Sequence, residues 1–417
     1  MSELALQGGK PVYDGAWPAW PVRDQREVER LVRVARRGNW GFNGPEDAEF
    51  RAAFGNFLGV RYGFCVTNGT HALQLALEAL DVGAGDEVIV PGLTWQATAA
   101  CALDVNAVPI LVDIDPQTLT MDPAALRAAI TPRTKAIIPV HLYGCMANLD
   151  EILAVANEFG IPVIEDGSHQ HGSEWRGRKA GTWGKLAAFS LQASKVLNAG
   201  EGGYVCTGDE KLARRLDALR HCGRAPAGCE NAPPGEVPQS GNFRISEFQA
   251  AVLNAQLSRL PEQTERRDEN AQYLSKLLRE IPGLDPLARL PQVTRQAYYA
   301  YGLRYRADAF GGLPRKRVQE ALKAELGIEP GYTYQPLNHS PLYKPQTKRR
   351  HRLSEEYWRA IDPQRFELPQ CTRAAEEIML FSHTVLLAER EHMARIAEAF
   401  AKVRAHAEAL RATAAVG

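Results

Sequence analysis

Between residues 62 and 207, short uninterrupted apolar runs alternate with stretches whose apolar side chains recur every three or four positions. The runs at 62–66, 87–91, 108–113, 135–140 and 161–166 have the length of buried strands, and 186–189 and 204–206 continue the series. The spacing between them predicts helices over 70–81, 95–105, 123–130 and 148–159. Such alternation predicts an α/β fold, with helices on both faces of a parallel or mostly parallel sheet. Pro132, Pro139 and Pro162 fall at the expected strand boundaries rather than inside helices, which suits that plan. Functional groups should then gather where strands end and helices begin.

A Gly/Pro-rich loop at 223–242 interrupts the alternation, and two long helical stretches follow at 245–259 and 262–281. Beyond them the pattern changes. Residues 297–307 alternate like a strand, 314–326 are spaced as a helix, and 390–412 read as a terminal amphipathic helix. This divides the chain into an N-terminal arm (1–22), a large domain (23–259) and a smaller C-terminal α+β domain (260–417), as a length of 417 residues allows.

Charge narrows the partners. Lysine plus arginine and aspartate plus glutamate each number 49, so the chain lacks the basic surplus that nucleic acid or an anionic membrane would demand. The densest basic run, Lys348 to Arg352, meets Glu355 and Glu356 at once and reads as a solvated face or a subunit contact. Seven cysteines without a pairing rhythm, Cys65, Cys101 and Cys206 among them in apolar runs, suit reduced core positions and a cytoplasmic location. No secretory signal and no apolar stretch of membrane-spanning length is expected.

Candidate chemistry falls at the predicted strand ends. In "VTNGTHAL", Gly69 and Thr70 open a helix and would leave backbone N–H groups free for an anion, although a plain capped turn has the same look. "VIEDGSHQHG" places Asp166 where the sheet opens into a cleft. Ser190 and Lys195 follow the run at 186–189, ahead of the glycine-rich return Gly200–Gly203. A lysine held there out of water loses part of its preference for the ammonium form, leaving an amine able to form a Schiff base. Trp95 in "TWQATA" serves either a ligand or the core.

Taken together and in this order, "NGTHAL", "TWQATA", "EDGSHQHG", "FSLQASKVLNAGEGG" and "GNFRISEFQAA" resemble the DegT/DnrJ/EryC1/StrS family of sugar aminotransferases over residues 8 to 410. The resemblance implies a fold type I enzyme using pyridoxal 5′-phosphate, with a sheet of the seven-stranded type. It implies that Lys195 carries the cofactor as a Schiff base and moves the proton, and that Asp166 pairs with the pyridinium nitrogen. Gly69, Thr70 and Ser190 would bind the phosphate, Trp95 would stack on the ring, and Asn242 would reach the neighbouring subunit's phosphate in a homodimer. His169 stands where glutamine is common in the family, and Asn68 where serine is common. An imidazole can still donate a hydrogen bond to the cofactor's phenolic oxygen. Within the family, "KVLNAGEGG", "TWQATA" and "GYTYQPLNHSPLYKP" are most similar to the branch that aminates keto-cyclitols such as scyllo-inosose or its 2-deoxy form, usually with L-glutamine as donor. Tyr332, Tyr334, Asn338 and His339 would meet the acceptor's hydroxyls, unless their loop serves only to pack the domains.

Other readings stay open at this point. A 3-amino-5-hydroxybenzoate synthase and an aminotransferase for nucleotide-linked keto-sugars share much of the lysine segment. A non-catalytic pyridoxal-phosphate regulator would share the fold. A metal site built from Glu165, Asp166, His169 and His171 is disfavoured, because neighbouring residues on a strand point to opposite faces. Lys195 also argues against the relatives in which histidine replaces the Schiff-base lysine and which act as dehydratases.

Overall fold

The computed structural model describes residues 3–226 and 238–414. Seven strands build the principal sheet: β1 (Tyr62–Val66), β2 (Glu87–Pro91), β3 (Val108–Val112), β4 (Thr134–Ile137) and β5 (Ile164–Asp166), then, after a two-residue hairpin of β6 (Glu174–Trp175) and β7 (Arg178–Lys179), β8 (Leu186–Ser190) and β9 (Gly203–Thr207). Hydrogen bonding gives the orders β1-β9-β8-β5 and β3-β2-β4. Parallel bridges from Ile137 to Val163 and from Val140 to Asp166 join the two into one sheet, in which β9 alone runs against its neighbours. The expected mostly parallel sheet is present.

Alternation along the strands assigns the two faces. Phe64, Val66, Val88, Val90, Ala188 and Val205 turn to one core, shared with the helices Gly69–Ala79, Ala97–Asp104 and Glu210–Arg220. Cys65, Ala187, Phe189, Tyr204 and Cys206 turn to the other, against Pro45–Leu58 and Glu247–Leu257. Ile89, Ile137 and Val163 continue that face under Pro123–Ala129 and Leu149–Phe159. Period-two strands buried on both sides read as continuous apolar runs, which is why they were legible.

The second sheet is antiparallel, in the order β10 (Leu284–Pro286), β12 (Ala300–Tyr305), β14 (Ile378–Ser382), β13 (Gly331–Tyr332). Between β10 and β12, β11 (Val293–Arg295) pairs instead with β6, tying the two halves together. The helices Leu260–Arg279, Arg315–Leu326 and Arg390–Ala405 enclose the second core, where Leu4 of the arm is also buried. The terminal helix expected over 390–412 is interrupted at His406 and resumes at Ala407–Ala414. Leu337, Tyr343, Tyr357, Leu368 and Cys371 pack on the first core, so the chain after residue 260 covers part of the principal sheet as well. Residues 227–237 of the predicted glycine- and proline-rich loop lie outside the described residues. Among the described residues no helix is long and apolar enough to cross a membrane.

Candidate active site

A cavity of about 580 Å³ opens at the ends of β1, β5 and β8, lined by Gly69, Thr70, Trp95, Asp166, His169, Ser190, Lys195, Tyr299 and Tyr334 among others. Its floor is set by glycine. A Cβ on Gly69 would stand 2.8 Å from the Cβ of Ser190, and one on Gly203 would stand 2.3 Å from the carbonyl oxygen of Asn68. The helix Gly69–Ala79 can therefore start tight against the ends of β8 and β9 only because both positions lack side chains. Asn68 caps that helix by accepting from the amide of His71 at 2.9 Å. The amides of Gly69 and Thr70 precede any helical carbonyl partner, so the cavity meets the positive end of a helix dipole.

Asp166 closes β5 and is buried at 5 % exposure. Its Oδ1 accepts from the Ser168 amide at 3.1 Å and its Oδ2 from the Thr98 hydroxyl at 3.0 Å. A hydroxyl has one proton to give, so Thr98 in turn accepts from Thr94, 3.0 Å away. The carboxylate is thus aimed while keeping lone pairs for the cavity. Its neighbour Glu165 turns the other way: it meets His141 at 3.1 Å and accepts from the amides of Gly181, Trp183 and Gly184. That division follows from the strand's alternation and leaves Glu165 a structural role.

Lys195 does not lie on a strand. It sits in the excursion between β8 and β9, pinned by Leu191 N–H to Gly202 O, Ala193 N–H to Gly200 O and Lys195 N–H to Gln192 O, each at 2.8 Å. Its amine lies 4.3 Å from the centre of the Tyr299 ring. Burial lowers the ammonium from its ordinary 10.5 to about 8, against the opposing pull of Asp166. His169 stacks on Tyr299 at 3.9 Å between ring centres and accepts from the Tyr143 amide through Nδ1 at 3.1 Å. Burial first, then the charges of Lys195 and His171, hold it well below the ordinary imidazole range. A neutral ring that accepts at Nδ1 carries its proton on Nε2, the edge near the Tyr334 hydroxyl.

The structure thus gathers Gly69, Thr70, Trp95, Asp166, His169, Ser190, Lys195 and Tyr334 around one cavity. Trp95 remains 46 % exposed at its mouth, 5.6 Å from the Tyr334 ring. Tyr332, Asn338 and His339 are not brought there. Tyr332 lies on the edge strand under Arg315, while Asn338 and His339 line a separate cavity. Asn242 is exposed, bridges to His221, and is not among the residues lining its own chain's cavity. Thr98, Ser168, Tyr143 and Tyr299 were missed. Thr98 had a signal, falling three positions after Trp95 within the helix predicted over 95–105, although in the structure Trp95 precedes the helix Ala97–Asp104; Tyr299 had none.

The sequence profile of the DegT/DnrJ/EryC1/StrS aminotransferase family matches residues 22–377. The L-glutamine:2-deoxy-scyllo-inosose aminotransferase of Streptoalloteichus tenebrarius is 47 % identical, covering 98 % of this chain and 99 % of that protein. The L-glutamine:scyllo-inosose aminotransferase of Streptomyces griseus is 42 % identical, over 96 % and 97 %. The crystal structure of 3-amino-5-hydroxybenzoic acid synthase superposes with a TM-score of 0.80 at 32 % identity, covering 94 % of this chain and 99 % of that one.

Proposed function

The chain belongs to the DegT/DnrJ/EryC1/StrS aminotransferase family, and from that premise we propose that it moves the amino group of L-glutamine to a keto-cyclitol, 2-deoxy-scyllo-inosose or scyllo-inosose, with pyridoxal 5′-phosphate. It is an aminotransferase of fold type I. The observation that carries the substrate assignment is the 47 % identity across nearly the whole of both chains to an enzyme named for that acceptor and donor. The donor's α-carbon is oxidised as it gives up its nitrogen and takes its keto oxygen from water, leaving a 2-keto acid. The ketone carbon is reduced as it takes up that nitrogen, and its oxygen departs as water.

The residues present fit the cofactor, because the cradle that a Cβ at Gly69 would fill, a carboxylate and a buried amine surround one cavity. When bound, the cofactor supplies a conjugated ring that draws electrons from the substrate carbon. Gly69, Thr70 and Ser190 would hold its phosphate at the helix terminus. Asp166, fixed by Thr98 and Ser168, would keep a proton on the ring nitrogen. Lys195 would anchor the cofactor and then carry the proton at its Nζ, a role suited to an amine that titrates near 8. His169 would donate through Nε2 to the cofactor and Trp95 would cover its ring. Asn242, outside the lining of its own cavity, would complete the partner subunit's site in a homodimer. Tyr334 stands where the acceptor would enter.

The test is a pair of half-reactions followed by absorbance. The cofactor form loaded with L-glutamine should return to its starting spectrum with a keto-cyclitol and not with a 4-keto nucleotide sugar. Preference for the nucleotide-linked ketone, or an amino-hydroxybenzoate product, would refute the acceptor while leaving the aminotransferase in place.

A further inference from the structure

The two carbonyls that precede Lys195 are held by parts of the chain far from the strands that deliver it. Trp20 of the arm donates its indole N–H to Ala193 O at 3.0 Å. His383, just after β14, meets Ser194 O through Nε2 at 3.2 Å. Tyr299, on the approach to β12, places its hydroxyl 3.0 Å from Ser194 Oγ. A carbonyl only accepts, so Nε2 of His383 carries the proton, and in the neutral ring Nδ1 does not; Nδ1 has no partner among the described residues. The Trp20 and His383 rings meet edge to face, 4.5 Å apart at 90°. Beneath the indole, 5.4 Å from its centre, is the guanidinium of Arg267, fully buried, with none of its three nitrogens hydrogen-bonded among the described residues.

We propose that Trp20 and His383, backed by Arg267, form a strap that sets the direction of the Lys195 side chain, making them positioning residues for the transamination. The loop's own bonds to Gly200 and Gly202 fix its stem. The N–H edges of the two peptides rest on Gln192, Ser194 N–H on its Oε1 and Lys195 N–H on its carbonyl, both at 2.8 Å; Trp20 and His383 hold the opposite, carbonyl edges of those planar units. Rotation of either peptide swings the next side chain, and an error of an ångström at the reacting atom is worth about a hundredfold in rate. Arg267 serves twice. Its charge holds the indole face. It also opposes a proton on His383, which burial already disfavours, so that imidazole stays a single-proton donor aimed at Ser194. The strap spans the arm, the helix Leu260–Arg279 and the second sheet, so the placement of that sheet reaches the lysine directly.

This rests on Lys195 being the residue that holds the cofactor. Borohydride reduction and peptide mapping of the wild-type holoenzyme checks that separately: label on another lysine overturns the premise and the strap with it. With label on Lys195, Trp20→Phe keeps the ring and deletes the N–H, His383→Leu deletes the donor, and His383→Gln restores an N–H. Each deletion is expected to lower kcat about three- to tenfold, the factor one hydrogen bond supplies, and the double variant about ten- to a hundredfold, with KM for L-glutamine within about twofold. The pH midpoint of the bound cofactor's visible band should move in the same variants. His383→Gln should return to within about twofold of wild type. A double variant with unchanged kcat and midpoint, or a His383→Gln as impaired as His383→Leu, overturns the strap and leaves only packing.

Discussion

Lys195→Met in the cofactor-free protein tests the central claim about the amine, that burial works against its charge. Below pH 8 the lysine is an ammonium in both folded and unfolded chains, and the folded chain bears the penalty. Above about 10.5 it is neutral in both and the penalty vanishes. Between these values the unfolded chain binds more protons, so stability rises with pH. The interval from 10.5 down to about 8 amounts to roughly 3 kcal/mol at about 1.4 kcal/mol per pH unit. The Tyr299 ring, 4.3 Å from the amine, offsets at most about 1 kcal/mol of this. Methionine fills similar space without charge. The variant should therefore be more stable than wild type by about 2 kcal/mol at pH 7 and by almost nothing at pH 10.5. Urea unfolding of both proteins, at one protein concentration because the unit is proposed to be a dimer, measures the difference. A stability difference that does not change between the two pH values would show that Lys195 titrates alike in both states, and the argument for a poised amine would fail.

Asp166→Asn should keep the fold and bind cofactor but lose about 10²–10⁴-fold in kcat, since a neutral amide cannot hold the pyridinium proton; near-normal turnover would remove Asp166 from that role. Mixed dimers of inactive Lys195→Ala and inactive Asn242→Ala chains should regain activity, because one of their two sites would be intact; none, with subunit exchange demonstrated, would place Asn242 in its own chain's site. Glu165→Gln should destabilise by about 1–3 kcal/mol, because its amino group cannot accept and leaves buried donors unpaired, with kcat little changed. Burial pushes the Glu165 carboxyl up, but His141 and the amides of Gly184 and Gly181 still hold it below its ordinary 4.5. Its stabilisation is therefore complete above about 4.5 and lost as pH falls through the lower folded value. Acid unfolding of the variant should lack that component, and an identical acid limb in both proteins would contradict it.

How much was legible follows from where each signal lies along the chain. Gly69, Thr70, Asp166, Ser190 and Lys195 sit beside their own evidence: a strand end, a capping asparagine, a glycine turn. Backbone geometry is local, so a glycine that must let a helix start against a strand shows itself within a few residues. The side chains that aim those groups have no such neighbours. Thr98 reaches Asp166 across 68 residues, Tyr299 reaches Ser194 across 105, and Trp20 and His383 reach the carbonyls before Lys195 across 173 and 189. Only the closed fold brings them together.

The aromatic loop after residue 330 shows the limit from the other side. Tyr332 and Tyr334 have the same parity and would share a face if the strand continued, but β13 ends at Tyr332, paired with Met379. The chain then turns: the Tyr334 amide bonds the Tyr143 hydroxyl at 2.7 Å, setting that residue over the cavity, while Asn338 turns away to donate to Phe366 O at 3.0 Å. Residue type suited all four positions to a polyhydroxylated ring. Direction selects one of them, and direction here is set by Tyr143 and Phe366, partners from outside the loop. An acceptor pocket built this way changes its hydroxyl contacts by turning a backbone segment as readily as by exchanging a side chain, so substitutions at Tyr143 should alter acceptor choice although Tyr143 lies beneath the loop.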